Sequence, residues 1–458
     1  MLTVLSYLMI IIFMFVIIKK KMSPFTALIG IPLIFALIAA VAGLFPVPNP
    51  EVEDAFINNP SLFERITSLG EFAVDGVGQT ATTGIMLLFA ILYFAIMLNA
   101  GMFDPITEKM IRFAKGDPVK ILFATAFISM VVSLNGDGTT TTLIVCTAFI
   151  PIYKKLNLRM MNLAVLIILM NTIMNLLPWG GPTARAISVL SLNDQEVIRA
   201  LAPGMVISAI YVLGLSIFLG VRERKRVGIQ ELTEKDIQAL TAAKSDEEQA
   251  MKRPKLFWVN LIMTITLIFF LVSGWFPALF LFLTGTVLAL IINYPDLKQQ
   301  KNRIQENAGD AVQVVILVFA AGIFMGLFTG TGMADALAQS LTTIIPDSWG
   351  RAWGLITALL SAPGTFFLSN DAFYYGVLPV LYQTGTQYGY TALEIGVASL
   401  LGQAFHLLSP LVAFIYLLFN LTGVDMGEWQ KESGKWALGI FIIFIAVAAI
   451  TGAAPIIK

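Results

Sequence analysis

The segment SLNGDGTTTT, from Ser133 to Thr142, combines one carboxylate, one amide, two glycines and a run of hydroxyls. It lies between two almost purely apolar stretches, ILFATAFISMVV before it and LIVCTAFIPIY after it. Of the 458 residues, 57% are hydrophobic and only 13% are charged. A soluble domain usually carries about a quarter charged residues. The polar segment must therefore be explained within a membrane protein.

Apolar runs near 20 residues recur along the chain, and each is long enough to cross a hydrocarbon core of roughly 30 Å. We predict an all-α polytopic membrane protein with full crossings near 2–18, 23–45, 81–100, 160–191, 199–221, 256–274, 276–293, 309–329, 391–421 and 436–454. The first run lacks a basic segment before it and a small-residue cleavage site, so we interpret it as a retained helix. The single cysteine, Cys146, excludes an internal disulfide.

The distribution of lysine and arginine predicts the orientation. With the N-terminus outside, nearly all basic residues, including RERKR at 222–226, fall in inside loops, as the positive-inside rule requires. The exceptions are Arg65, Arg199, Arg351 and Lys458. The stretch 46–80 carries six acidic residues and one basic residue, so we place it outside. The charged segment 222–255 is predicted to be a cytoplasmic linker between two halves.

Two apolar segments are too short to be crossings. Residues 119–132 and 140–153 would each span about 21 Å as a helix, and lysines lie at both ends of the pair. We therefore predict a re-entrant helical hairpin over 119–153, with its tip at mid-membrane, where non-helical backbone must line a cavity or be buried in protein. A second hairpin, 352–382, is predicted to turn at LSNDAFYYG (368–376) and to enter from the opposite face.

Each half then has five crossings and one hairpin. Because five is odd, the halves must be inverted relative to each other, which is typical of secondary transporters. The predicted repeats are 1–221 and 256–458. Each contains a crossing interrupted by proline and glycine: 160–191 at LLPWGGPTARA (176–186) and 391–421 at GQAFHLLSPLVA (402–413). We expect the two tips and two breaks to meet, with free N–H groups favouring anions and free carbonyls favouring cations.

Asp137 and Asp371 are carboxylates at membrane depth, where an unpaired charge is costly. They could ligate Mg²⁺ or Ca²⁺, carry a coupled proton, or cap the following helix. Asn135 and Asn370 occupy equivalent places in the tips and could bind a carboxylate, or could only shape the turns.

Arg185 is the only basic residue that we place inside the membrane besides His406, the only histidine. Arg185 could grip a carboxylate bidentately or pair with a tip aspartate, and His406 could relay protons or only pack. The predicted substrate-binding residues are Ser133, Asn135, Gly136, Gly138, Thr139, Thr140, Gly180, Gly181, Pro182, Thr183, Arg185, Ser369, Asn370 and Ser409. The predicted metal residues are Asp137 and Asp371, and the predicted proton-coupling residues are Asp137, Asp371 and His406.

Other functional classes fit poorly. No phosphate-binding GxxxxGK[ST] loop occurs, which argues against ATP-driven transport by this chain. An intramembrane aspartyl protease would use a Gly-x-Gly-Asp pattern, and this pattern fails because Leu134 lies three residues before Asp137. We therefore expect a transporter and not an enzyme, with no nucleic-acid partner.

LNGDGTTTTLI, PWGGPTARA and SNDAFYYGVLPVL, in this order, resemble the citrate–divalent metal–proton symporter family (CitMHS) over nearly the whole chain. That family belongs to a superfamily that includes divalent anion–sodium symporters. The resemblance implies uptake of citrate complexed with Mg²⁺ or Ca²⁺ in symport with protons, without a resident cofactor. It also implies a homodimer in a bacterial plasma membrane, with a scaffold domain and an elevator-type transport domain. A sodium-coupled di- or tricarboxylate symporter and a cation–proton antiporter remain alternatives on the same scaffold.

Overall fold

The computed structural model describes residues 1–48, 56–57, 59–230, 246–344, 347–412, 414–455 and 458. Within these ranges every regular element is a helix, apart from one isolated bridge between Pro48 and Phe56. The predicted all-α fold class is confirmed for this part of the chain. Parts of two predicted segments, 49–55 and 58 in the outside stretch and 231–245 in the linker, lie outside the described residues.

The described helices of the first half are α1 (Leu2–Ile18), α2 (Pro24–Val41), α3 (Leu62–Asn99), α4 (Asp104–Ala114), α5 (Pro118–Val132), α6 (Gly138–Lys155), α7 (Met160–Met174), α8 (Gly181–Leu190) and α9 (Asp194–Val227). After the linker helix α10 (Asp246–Met251), the second half has α11 (Phe257–Ser273), α12 (Ala278–Asn293), α13 (Leu297–Gly330), α14 (Met333–Ile344), α15 (Asp347–Gly350), α16 (Trp353–Phe367), a π-helix (Ala372–Val377), α17 (Leu378–Gln387), α18 (Ala392–Leu401), α19 (Gln403–His406), α20 (Phe414–Thr422) and α21 (Met426–Thr451). Both halves therefore run through two helices, one long helix, one short helix, a helical pair, an interrupted helix and a final long helix.

Seven helical segments of the described chain are long and apolar enough to cross a membrane, judged by length and composition. They are 24–41, 62–99, 118–135, 194–227, 254–273, 311–330 and 426–451. The segment 118–135 contains the first arm of the predicted hairpin, so by length and composition this arm is not too short to cross, and its re-entrant course stays a prediction. Shorter apolar helices add Leu2–Ile18, Met160–Met174, Ala278–Asn293 and Trp353–Phe367. This composition is that of a multi-pass membrane protein.

Residues 62–80, the second part of the predicted outside stretch, are helical and continue into the predicted crossing near 81–100. Helix α3 begins at Leu62, behind a capping box in which Ser61 and Glu64 bond each other's backbone N–H groups. Ser68, Leu69, Phe72, Gly76 and Thr80 are buried at helical spacing. The helix therefore begins well before the predicted crossing near 81–100, and the placement of 62–80 outside the membrane stays a prediction.

The long helices α3 and α13 cross in an antiparallel sense through facing glycines. A Cβ atom on Gly76 would lie 2.0 Å from the carbonyl oxygen of Gly322, and one on Gly326 would lie 2.0 Å from that of Phe72. Only glycine permits such an approach of two backbones. The two halves of the chain are therefore in direct backbone contact at their longest helices.

Gly76→Ala is expected to lower the free energy of unfolding by about 1–3 kcal/mol or more, because the added methyl group overpacks this contact. Thermal unfolding of the detergent-purified protein measures the effect. Gly78→Ala is the matched control, since a Cβ atom there meets nothing within 4 Å. Equal melting temperatures for the two variants would show that the helices can separate at little cost.

The pair α5–α6 is a hairpin whose two ends are held at the same end of α9. Asp117, which caps α5, accepts hydrogen bonds from Arg224 at 2.9 and 2.5 Å. Asn157, which follows α6, offers its carbonyl oxygen to Arg226. The second pair also closes at its base, because the Trp353 indole at the start of α16 donates to the carbonyl of Leu381 in α17 at 2.8 Å. Each pair thus carries its polar tip at the far end from its base.

Two helices are interrupted beside these tips. The first stops at Met174 and resumes at Gly181, and a Cβ atom on Gly180 would lie 2.0 Å from the carbonyl oxygen of Asn175. The second is helical to Leu401, makes a short turn over Gln403–His406, and resumes at Phe414. Pro410 lies in the non-helical stretch, consistent with the missing N–H of proline.

Candidate functional site

The tip of the first hairpin is a tight turn closed by its own polar side chains. Gly136 has φ +78°, a left-handed conformation that glycine adopts without strain. The side-chain oxygen of Asn135 accepts a hydrogen bond from the backbone N–H of Asp137 at 2.8 Å. The Asn135 oxygen is therefore engaged within the turn.

Asp137 caps α6 at the tip. Its carboxylate accepts from the backbone N–H of Thr139 at 3.1 Å, from that of Thr140 at 2.7 Å, and from the Thr140 hydroxyl. The residue is exposed. The capping alternative thus describes what Asp137 does in this structure, while its side chain remains accessible to a ligand at the tip.

The first tip rests against both breaks. The Trp179 indole of the first break donates to the carbonyl of Leu134 at 2.7 Å. A Cβ atom on Gly136 would lie 3.2 Å from Trp179, and one on Gly138 would lie 2.3 Å from the Phe414 ring at the end of the second break. Substitution of either glycine would therefore push the tip away from its supports.

The second tip is joined to the first break by an ion pair. The Arg185 Nε donates to Asp371 Oδ1 at 2.7 Å, and both side chains are about four-fifths buried, at 20% and 18% exposure. The Arg185 Nη1 also donates to the carbonyl of Gly181 at 2.8 Å, and the guanidinium lies 6.0 Å from the centre of the Tyr375 ring. A guanidinium has five N–H donors, so these two hydrogen bonds leave others for a ligand.

The second tip also contacts the second break. Gln403 Nε2 donates to Asn370 Oδ1 at 3.0 Å and to the Tyr374 hydroxyl at 2.9 Å. His406 Nδ1 lies 2.7 Å from the carbonyl oxygen of Thr365 in α16. Because a carbonyl only accepts, Nδ1 carries the hydrogen and Nε2 is the nitrogen left for proton exchange. Hydrogen bonds and packing therefore connect both tips and both breaks into one continuous cluster.

Three of the remaining predicted hydroxyl groups form hydrogen bonds within the protein, and that of Ser133 has no partner among the described residues. The Thr183 hydroxyl donates to the carbonyl of Leu176 across the first break at 3.0 Å, and the Ser409 hydroxyl accepts from the N–H of Leu411 at 3.1 Å. Ser369 accepts from the N–H of Ala372 at 3.2 Å. The buried Ser133 hydroxyl has no hydrogen-bond partner among the described residues. Gly180, Gly181 and Pro182 supply backbone at the first break, and the binding roles of all these residues stay predictions.

The described residues offer no cluster of three or more His, Cys, Asp or Glu side chains that could hold a metal ion. The two tip aspartates have separate partners, since Asp137 caps a helix and Asp371 pairs with Arg185. The metal-binding roles of Asp137 and Asp371 stay predictions.

Gln403 contacts this cluster, although the sequence analysis did not predict it. It is the only amide within GQAFHLLSPLVA (402–413), beside a predicted break. A polar amide beside a helix break could have indicated the contact, as His406 in the same segment did. The residue is 1% exposed and contacts the tip at Asn370.

Comparison with known proteins places this arrangement in a family. The family model described as "Citrate transporter" matches residues 13–402. This chain belongs to the citrate transporter family. A "Citrate transporter" of Bacillus subtilis (strain 168) is 44% identical over 453 residues and covers 99% of both chains. A "Mg(2+)/citrate complex secondary transporter" of the same organism is 39% identical over 456 residues, with 100% of both chains covered.

A solved structure shares the fold of this chain. The YdaH transporter of Alcanivorax borkumensis superposes with a TM-score of 0.63, covering 95% of this chain and 100% of its own. The sequences are 15% identical, so the likeness concerns the fold alone. The family and its relatives make the chain a multi-pass bacterial membrane transporter and not an enzyme.

Proposed function

We propose that this protein takes up citrate as its complex with Mg²⁺ or Ca²⁺, in symport with protons, at the cluster of two tips and two breaks. The name of the relative that is 39% identical, a Mg(2+)/citrate complex transporter, supports the metal complex as the cargo. The lack of a described metal-binding cluster agrees with a cation that travels with its own carboxylate ligands.

The orientation of the two tip asparagines carries the proposal. Each side chain has one carbonyl oxygen and one NH₂ group. The oxygen of Asn135 already accepts from Asp137, and that of Asn370 already accepts from Gln403. The amide nitrogens are thus left for a ligand, and together with Arg185 they form a site rich in donors. Such a site suits a carboxylate better than a sodium ion, which needs oxygen ligands.

A charge balance gives the proton a role. A citrate trianion with one divalent cation carries one net negative charge, whereas the pair of Arg185 and Asp371 is neutral. Protonation of Asp371 would release the guanidinium charge to the incoming complex. Proton binding and substrate binding would then favour each other, which is the thermodynamic requirement for symport. Asp137 and His406 Nε2 are the further groups through which a proton could pass.

We also propose how the cluster moves. Residues 1–221 and 256–458 act as inverted repeats whose hairpins are re-entrant, and the protein works as a homodimer with an elevator-type transport domain. The repeated order of elements in the two halves supports the repeats. The shared fold of the YdaH transporter is compatible with this scaffold.

Uptake of labelled citrate into proteoliposomes tests the function. Mg²⁺, Ca²⁺ or a chelator is combined with an imposed pH gradient or an imposed sodium gradient, and protein-free liposomes are the control. We expect uptake only when a divalent cation and an inward proton gradient are both present. Sodium-driven uptake that is indifferent to the chelator would instead support the sodium-coupled carboxylate symporter.

A further inference from the structure

Gln403 lies at the beginning of the short turn α19, buried beneath the second tip. It is 1% exposed, and its side chain reaches two groups of the tip segment, the Asn370 oxygen and the Tyr374 hydroxyl. Tyr374 is itself fully buried. These contacts place an amide between the interrupted helix and the residue that we propose faces the substrate.

The directions of the hydrogen bonds follow from one fixed acceptor. The Tyr374 hydroxyl lies 3.3 Å from the backbone carbonyl of Ser399, which can only accept, so the hydroxyl donates to it. The Tyr374 oxygen must then accept from Gln403, which identifies the nearby atom as the nitrogen Nε2. The second hydrogen of Nε2 donates to Asn370. This chain of hydrogen bonds from Ser399 through Tyr374 and Gln403 thus orients the Asn370 amide through protein groups alone.

The remaining atom of Gln403 argues against a purely stabilising role. Its oxygen Oε1 is buried and has no hydrogen-bond partner among the described residues. An unpaired buried acceptor is unfavourable, and an apolar side chain of similar length would avoid it. An amide at this position is therefore better explained by the two hydrogens that it donates.

We propose that Gln403 is a positioning residue that holds the Asn370 amide nitrogen toward the substrate and so makes the second tip select a carboxylate. This inference rests on the proposed citrate function. If Asn370 were free to rotate, its oxygen would face the site part of the time, where it repels a carboxylate and attracts a cation. Gln403 therefore sets substrate preference through Asn370 and not through direct contact.

Gln403→Met tests the proposal, since methionine has a similar length and donates no hydrogen bond. We expect the KM for citrate to rise about 10- to 100-fold, the value of one hydrogen bond to a charged group, with kcat largely unchanged. In an Asn370→Ala background the same substitution should raise KM no further, because the residue through which Gln403 acts is gone. Gln387→Met, an exposed position at the end of α17, is the matched control and should leave KM unchanged.

An additive effect of Gln403→Met and Asn370→Ala, or a fall in kcat with unchanged KM, would overturn the proposal. If Gln403→Met fails to fold, Tyr374→Phe removes only the hydroxyl that fixes the Gln403 orientation and should give a smaller rise in KM. An unchanged KM in Tyr374→Phe would then count against the proposal. Wild-type protein that transports no citrate would refute the function itself, which separates the two failures.

Discussion

Arg185→Gln is expected to abolish citrate uptake and to destabilise the protein at the same time. The substitution leaves Asp371 as a largely buried charge without its partner, and breaking a buried pair from one side costs about 3–5 kcal/mol. It also removes the guanidinium donors that we assign to the substrate carboxylate. Uptake in proteoliposomes should fall to the level of protein-free liposomes, and thermal unfolding in detergent should show a lower melting temperature.

The double variant Arg185→Gln, Asp371→Asn separates these two effects. Neutralising Asp371 removes the unpaired charge, so most of the lost thermal stability should return while uptake remains absent. Arg185→Lys is a second comparison, because lysine keeps the charge and loses the planar fork that binds carboxylates bidentately. Restored uptake in the double variant would mean that the ion pair only supports the fold.

Asp371→Asn is expected to uncouple transport from the proton gradient. The variant keeps the size and position of the side chain and leaves the Arg185 charge permanently available, as protonation of Asp371 would. An imposed pH difference of one unit supports about tenfold accumulation for each coupled proton. We expect this accumulation to disappear, while exchange of internal for external citrate persists.

Counterflow of labelled citrate and uptake driven by a pH gradient, both in proteoliposomes, measure the two activities separately. Asp75→Asn is the control, since Asp75 is an exposed acid on α3 and belongs to neither tip segment. Proton-driven accumulation that survives in Asp371→Asn would shift the coupling role to Asp137 or His406.

The positions of the tips and breaks could be predicted because they depend on local chemistry. Glycine and proline interrupt helices wherever they cluster, and both tips and both breaks contain such residues. The start of α3 at Leu62 was not predicted, since the crossing was expected only near 81–100. The buried residues of its first turns recur at helical spacing, but this pattern is less evident in the sequence than the six acidic residues in 46–80.

The identity of the partners could not be predicted in the same way. Arg185 and Asp371 are 186 positions apart, and the sequence reasoning left both a substrate contact and an ion pair open for Arg185. Likewise, no pattern in the neighbouring sequence indicates that Gln403 donates a hydrogen bond to Asn370, or that Trp179 donates one to the carbonyl of Leu134. Such pairings depend on how the hairpins dock against the interrupted helices.

The sequence by itself determined the class of this protein: a helical membrane transporter with two polar tips and two interrupted helices, resembling the citrate transporters. Hydrophobic length and helix-breaking residues are enough for that, since both act within one segment. Only the tertiary structure decided which polar atoms are engaged in hydrogen bonds and ion pairs within the protein. Arg185 pairs with Asp371 while the asparagine oxygens are held internally, because hydrogen-bond direction depends on distances between segments that the chain brings together only when it folds.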